Sequence, residues 1–257
     1  MPDQPLFDLA GQRALVTGAN GSLGRHFALT LARAGADVAI GARRIESLDE
    51  LAESIVALGR RAFPVALDVT DRASVDDAFA RAEAGLGPLR VVVNNAGVAV
   101  TKPLLEHTED DWLGVIDVNL NGAWRVAQAA ARAMIAQAQG GSIVNVASIL
   151  GLRVASQVPS YAASKAALIQ LTKAMALELA RHRIRVNALA PGYVETAMNR
   201  DFFASEAGQA MVKRVPQRRI GTPGELDGAL LLLASDAGSY MTGSVITVDG
   251  GHVVNSL

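Results

Sequence analysis

The sequence contains no cysteine, so disulfides, thiolate metal sites and cysteine nucleophiles are excluded. Its four histidines (His26, His107, His182 and His252) are scattered without the close spacing of a metal-ligand set, and no metal site is expected. It lacks an excess of either charge: 24 Lys and Arg stand against 25 Asp and Glu. That balance leaves neither a basic footprint for nucleic acid nor a polybasic membrane patch. No apolar run approaches the length of a membrane helix. The opening Met-Pro-Asp-Gln-Pro has no basic region leading into an apolar stretch, so no signal peptide is expected. A cytoplasmic protein without nucleic-acid or membrane partners is the expectation. No Pro/Ser/Gly-rich linker, composition shift or internal repeat divides the 257 residues, so one domain over 1–257 is expected.

What is present is a hydrophobic half of the residues arranged in short runs. Arg13 to Thr17 is apolar and β-branched and enters the glycine cluster Thr17-Gly-Ala-Asn-Gly-Ser-Leu-Gly24. A helical pattern follows as far as Gly35, then a strand over 36–41, which together make a βαβ unit. Further strands are expected at 62–67, 90–93, 141–146, 184–189 and 244–248. Helices are expected at 45–58, 72–84, 159–181 and 223–234, and at 108–137, where Asn119, Asn121 and Gly122 interrupt the pattern. Residues 192–220 read as irregular with a short helix. Continuous apolar strands alternating with helices predict an α/β fold, a doubly wound seven-stranded parallel sheet with helices on both faces. Its ligand belongs at the carboxyl ends of the strands.

A glycine turn between the first strand and helix aims backbone N–H groups at a diphosphate, or it is simply a tight turn. The residue after the second strand decides between nicotinamide cofactors. An acid there accepts hydrogen bonds from a ribose, whereas this sequence gives Gly41-Ala-Arg-Arg44. Two guanidinium groups at that point favour a 2′-phosphate, hence NADP(H), with NAD(H) left open. Asp68 either contacts adenine or caps the next helix, and Asn95 and Gly97 stand at the end of the fourth strand. Tyr161 and Lys165 are four residues apart and share a helix face. An ammonium beside a phenol lowers the phenol's pKa from its usual value of about 10, giving a proton donor or acceptor near neutral pH. Ser148 ends a strand, where its hydroxyl can hold a substrate oxygen. Asn119 is a poor helix-interior residue that either packs at a kink or holds a water.

Taken together, Ser148, Tyr161-Ala-Ala-Ser-Lys165, Asn94-Asn-Ala-Gly97, Asn119, Pro191-Gly192 with Thr196, and Asp249-Gly-Gly251 carry a resemblance. From Thr17 to Gly251 the chain resembles the single-domain branch of the short-chain dehydrogenase/reductase family, which binds NAD(P)(H) on a Rossmann fold. The resemblance implies that Tyr161 is the acid and base, and that Lys165 lowers its pKa and holds the nicotinamide ribose. It implies that Ser148 polarises the substrate carbonyl and that Asn119 positions a relay water. Gly18, Asn20, Ser22, Leu23 and Gly24 would line the diphosphate turn, and Asp68 and Val69 the adenine. Asn95, Ala96 and Gly97 would border the ribose, and Pro191, Gly192, Val194 and Thr196 would frame the nicotinamide. One departure stands out: the family's Thr-Gly-x-x-x-Gly-x-Gly turn has Ser22 at its second glycine position here, with Gly21 one earlier.

The expected reaction interconverts a ketone, moderately apolar or 3-oxoacyl, and a secondary alcohol, with a polyol or sugar acid as the alternative. A non-catalytic cofactor-binding regulator is the reading from another class. Tyr193, Met198, Phe202 and Phe203 are expected in a substrate lid over about 193–220, and Leu150 to Val158 in the opposite wall. The resemblance also implies a homotetramer that packs through the long helices after the fourth and fifth strands.

Overall fold

Short β-branched runs buried on both faces build the core of the sheet. The strands are β1 (Arg13–Thr17), β2 (Asp37–Ala42), β3 (Ala62–Ala66), β4 (Val91–Asn94), β5 (Gly141–Val146), β6 (Ile184–Pro191) and β7 (Val245–Val248). They are the seven strands expected from the sequence, all parallel, in the order β3-β2-β1-β4-β5-β6-β7. The structure is a computed structural model that describes residues 6–196 and 199–254.

The strand period of two sends alternate residues to opposite layers. Val16, Ile40, Val93 and Val144 face one cluster, with Phe27 and Leu31 of helix α1 (Ser22–Arg33), Leu51 and Ile55 of α2 (Asp49–Ala57), and Leu230 and Leu233 of α9 (Asp227–Ala234). Leu15, Ala39, Val92 and Ile143 face the other, with Val75 and Phe79 of α3 (Arg72–Leu86) and Val126 and Met134 of α5 (Ala123–Ala136). Apolar strands covered on both sides are what a parallel sheet requires. Pro64 lies in β3, the edge strand, where its missing N–H costs no ladder bond to a further strand.

Several helices differ from their expected form at the ends. The 45–58 pattern opens with a tighter 3₁₀ turn at Ile45–Leu48, and α9 is preceded by another at Pro223–Leu226. The long stretch from 108 divides into α4 (Glu109–Ile116), a π turn at Asp117–Gly122, and α5. The stretch 192–220 holds two short helices, α7 (Arg200–Ala204) and α8 (Glu206–Val212). Helix α6 (Pro159–Leu179) follows β5 and starts with a proline in its first turn, a position that needs no N–H. Because β2 and β3 run out one side of β1 while β4 to β7 run out the other, a crevice opens above β1 and β4.

Candidate active site

The crevice is a cleft of about 780 Å³ at the carboxyl ends of the strands. Its lining includes Gly18, Asn20, Ser22, Leu23 and Gly24, then Arg43 and Arg44, Asp68 and Val69, Asn95 to Gly97, and Thr196. Gly18 adopts φ +63°, a left-handed conformation that favours glycine. A Cβ on Gly24 would stand 2.2 Å from the Gly18 carbonyl oxygen, so helix and turn touch backbone to backbone there. Gly21 caps α1 with no side-chain bond, and the helix's first N–H groups face the cleft without a competing cap. Ser22 starts that helix with an ordinary negative φ, so the turn does not need glycine at this place and the serine is accommodated without strain. These features fit a dinucleotide diphosphate.

The turn is braced from β4, and Thr17 is the residue that sequence reasoning missed. Its Oγ1 accepts hydrogen bonds from the Asn95 N–H (3.1 Å) and the Ala96 N–H (3.0 Å). Asn95 lines the cleft, yet its amide nitrogen donates to the carbonyls of Thr17 (3.0 Å) and Gly18 (3.2 Å). Asn95 therefore works first as a strut for the glycine turn. Asp68 does not cap α3; Asp71 does, by accepting from the Ala73 N–H. Asp68 instead accepts from the hydroxyl and N–H of Thr70, which together hold its carboxyl below the usual range, with Arg43 and Arg125 adding to the effect. Arg43 and Arg44 are exposed on the cleft wall beyond β2.

Ser148, Tyr161 and Lys165 are not among the residues that line the cleft; the Lys165 Nζ lies beside its lining residue Gly97, 3.5 Å from where a Cβ would stand. Ser148 follows β5 and opens a 3₁₀ turn, Ile149–Gly151, its Oγ accepting from the Leu150 N–H at 3.1 Å. The Ser148 hydroxyl beside Tyr161 lowers the tyrosine's pKa, but burial is the larger effect and pushes it up. This corrects the expected depression by lysine. The Lys165 Nζ lies 5.6 Å from the Tyr161 ring centroid and donates to the Val146 carbonyl at 2.8 Å. Burial, in turn, lowers Lys165 from 10.5 to about 8.

Asn119 sits in the π turn, almost fully buried, with both amide hydrogens used. Nδ2 donates to the Val98 carbonyl (2.9 Å) and Ser164 Oγ (3.0 Å), while Oδ1 accepts from the Val98 N–H (2.8 Å). Ser164 passes the contact on to the Tyr161 carbonyl at 2.7 Å, a link that nothing in the spacing announced. A water would therefore have to meet Asn119 at its remaining Oδ1 lone pair. Room exists at Gly97, where a Cβ would lie 3.4 Å from Asn119 Oδ1 and 3.5 Å from Lys165 Nζ. A second buried relay, Asn94 to Asn145 (2.9 Å) to Thr172 (2.8 Å), joins β4, β5 and α6 and keeps α6 in place beneath the site.

The substrate side is assembled from separated segments. Gly192 packs against Asp249, where a Cβ would come within 2.7 Å, so Pro191-Gly192 is pressed on the turn after β7. Val194 is buried and bridges to Gly221. The Tyr193 ring contacts Phe203 (5.7 Å between centroids) and His252 (5.4 Å), and Phe202 meets Phe203 edge to face at 5.2 Å. Phe203 is buried and Phe202 is 45% exposed. Met198 lies outside the described residues. In the opposite wall, Leu150 ties back to Ser148, Val158 caps the start of α6, and Gly151 lies against the Lys165 backbone.

Comparisons with known proteins agree with this geometry. A family model described as enoyl-(acyl carrier protein) reductase matches residues 18–253. The chain is 40% identical over 256 residues to gluconate 5-dehydrogenase of Gluconobacter oxydans, covering 99% of this chain and 100% of that one. It is 41% identical over 246 residues to a 3-oxoacyl-(acyl-carrier-protein) reductase of Thermotoga maritima, covering 96% and 99%. Among solved structures, a gluconate 5-dehydrogenase of Burkholderia cenocepacia in complex with NADP and tartrate superposes with a TM-score of 0.93. It is 39% identical, with 97% of this chain and 98% of that chain covered.

Proposed function

This chain belongs to the short-chain dehydrogenase/reductase family, and from that premise we propose an NADP(H)-dependent oxidoreductase that interconverts a secondary alcohol and a ketone. The observation that carries the reading is the nearness of Ser148 and Lys165 to Tyr161, with the Lys165 Nζ 5.6 Å from the Tyr161 ring centroid and beside Gly97 of the glycine-lined cleft. When bound, the nicotinamide supplies or accepts the hydride. Tyr161 gives its proton to the carbonyl oxygen during reduction and takes it from the alcohol during oxidation. Ser148 fixes the substrate oxygen so that this transfer runs over one hydrogen bond. Lys165 carries positive charge at neutral pH and favours the phenolate as Tyr161 loses its proton. Asn119 and Gly97 leave a place beside Lys165 for a water that returns the proton to solvent.

Arg43 and Arg44 take the 2′-phosphate, Asp68 and Val69 border the adenine, and Pro191 to Thr196 face the nicotinamide. The NADP in the Burkholderia gluconate 5-dehydrogenase supports the cofactor choice. Residues 193–220 act as the lid of a chain that we read as one unit over 1–257. For the substrate, relatives named for gluconate support a sugar acid. The 3-oxoacyl relative and the apolar rings of Phe202 and Phe203 support the second reading, a moderately apolar ketone. The exposed Trp112 and Leu113 of α4, Trp124 of α5 and Leu177 of α6 support a homotetramer through these helices, which sedimentation velocity tests. Among the described residues no helix is long and apolar enough to cross a membrane. Residence in the cytoplasm is part of the same proposal, and cell fractionation tests it.

Following NADPH across a panel of sugar acids, polyols, aryl ketones and 3-oxoacyl thioesters, for wild type and Tyr161→Phe, tests the reading. Turnover of one alcohol or ketone class that collapses in the variant is the expected result. A variant that matches wild type rejects Tyr161, and a panel with no turnover by wild type rejects the enzyme.

A further inference from the structure

Asn119 sits in the π turn Asp117–Gly122, between α4 and α5. In such a turn the backbone bonds step over five residues instead of four, a departure from the regular ladder that helices keep mostly where a group must be presented out of register. The side chain of Asn119 is fixed by its bonds to Val98 and Ser164. Those bonds hold the amide, and the turn that carries it is held by other groups.

The first of these is Arg125, in the first turn of α5 and eight residues beyond Asp117. Its Nη1 donates to Asp117 Oδ1 at 2.9 Å and to the Val69 carbonyl at 3.2 Å. The same Asp117 oxygen accepts from Asn121 Nδ2 at 3.2 Å, inside the turn. The Arg125 side chain is only 20% exposed, so water competes weakly for these bonds. Gly122, the last residue of the turn, leaves no room for a side chain: a Cβ would stand 2.7 Å from Val69 Cγ2 and 3.2 Å from the Asp117 carbonyl oxygen. Arg72, which opens α3, donates to the Arg125 carbonyl at 3.2 Å and ties the segment after β3 to α5 a second time. Val69 and Val118 both line the cleft. One guanidinium nitrogen thus joins the cleft wall after β3 to the turn that bears Asn119.

We propose that Arg125 is a positioning residue for the proton relay: holding Asp117 and the Val69 carbonyl on one nitrogen, it sets the π turn against the cleft wall and keeps Asn119 Oδ1 where the relay water meets it. Its premise is the enzymatic reading above, in which Asn119 holds that water. The target is narrow. The space at Gly97 is bounded by Asn119 Oδ1 and Lys165 Nζ, 3.4 and 3.5 Å from where a Cβ would lie. A water between them reaches about 3 Å to either side, so a turn displaced by about 1 Å breaks one of its two bonds. Without Arg125 the Asp117 carboxylate and the Val69 carbonyl lose the donor they share, and the turn is free to relax towards the ordinary helical ladder. Misplacement on that scale away from the chemistry costs up to about a hundredfold in rate.

The test is steady-state kinetics on the full-length protein, with gluconate and NADP and with acetoacetyl-coenzyme A and NADPH. Wild type is compared with Arg125→Gln, Arg125→Lys, Asn119→Ala and the double variant Asn119→Ala/Arg125→Gln. Positioning predicts that Arg125→Gln lowers kcat about tenfold while the substrate KM changes by less than about threefold. Arg125→Lys recovers most of that loss, because both bonds leave from one nitrogen and an ammonium can take its place. In the Asn119→Ala background the change Arg125→Gln lowers kcat by less than about twofold, since no amide is left to position. A lower melting temperature with kcat kept in Arg125→Gln overturns the inference, and so do losses that multiply in the double variant. Should Arg125→Gln fail to fold or to bind NADPH, Asp117→Ala removes the other partner of the pair and should lower kcat about threefold or more; kcat equal to wild type there overturns the inference. Turnover with kcat unmoved in Asn119→Ala overturns the relay and this role of Arg125, and leaves Tyr161 as the acid and base. A wild type that turns over neither these pairs nor any member of the panel above rejects the enzyme, and this role of Arg125 with it.

Discussion

The two ends of the active cleft are built by different means. At the nucleotide end the backbone does the work: Gly18 holds a left-handed turn, Gly24 presses on its carbonyl, and Thr17 and Asn95 brace it by hydrogen bonds. At the substrate end side chains do it, with Tyr193, Phe203 and His252 in ring contact and Arg153 reaching across to carbonyls of another segment. Backbone contacts tolerate one residue type at each position and recur at fixed spacing. Side-chain contacts from separate loops can be met by many combinations. The first end suits a constant ligand such as a dinucleotide, and the second a substrate that varies between relatives.

The sharpest break in this comparison lies between the two ends, at Tyr161. Tyr161→Phe removes the proton and leaves the ring, so kcat should fall by about a thousandfold with NADPH affinity kept, as read by turnover and by cofactor titration. Lys165→Met comes next and should act in opposite directions on activity and stability. Burial lowers the Lys165 pKa from 10.5 to about 8. Below about 8 both folded and unfolded chains carry that proton, so the full penalty, about 3 kcal/mol, weighs on the folded state. Between about 8 and 10.5 the unfolded chain holds more protons, and stability rises with pH. The variant should therefore melt higher than wild type at pH 7 and lose that advantage as the pH is raised through this window, while turnover is lost at every pH. Equal melting temperatures at pH 7 would contradict the burial argument.

Gly24→Ala probes the backbone end alone. Its Cβ would lie 2.2 Å from the Gly18 oxygen, so the turn must shift. A loss of about 2 kcal/mol in stability and about tenfold or more in NADPH affinity is expected by denaturation and fluorescence titration. Smaller still is Arg43→Asp on the exposed rim. It should move the NADPH/NADH ratio of kcat/KM by about tenfold towards NADH, and an unchanged ratio would remove Arg43 from cofactor choice.

The same division decides what could be read from the chain. All seven strands were legible, because runs such as Ala-Leu-Val-Thr and Val-Val-Val must be apolar on both faces wherever the sheet is covered twice. The glycine turn and the arginines beyond β2, which line the cleft, and the nearness of Lys165 to Tyr161 were legible from motif and spacing. The protonation of Tyr161 was not. Helix periodicity brings Lys165 to the same face, but the depth of burial outweighs a neighbour whose ammonium is bound to the Val146 carbonyl. Asn119 was legible as an anomaly in a helix. Its partners Val98 and Ser164 were not, since they are 21 and 45 residues away.

By itself, then, the sequence determined the layered parallel sheet and singled out the residues proposed to hold the cofactor and to react, because each follows from local periodicity or from a turn of fixed geometry. The tertiary structure decided which polar groups are spent on one another, how burial acts on Tyr161 and Lys165, and how Tyr193, Phe203, His252 and Arg153 come together. Those outcomes depend on distances between segments and on the exclusion of water, and neither quantity is written in the order of residues along the chain.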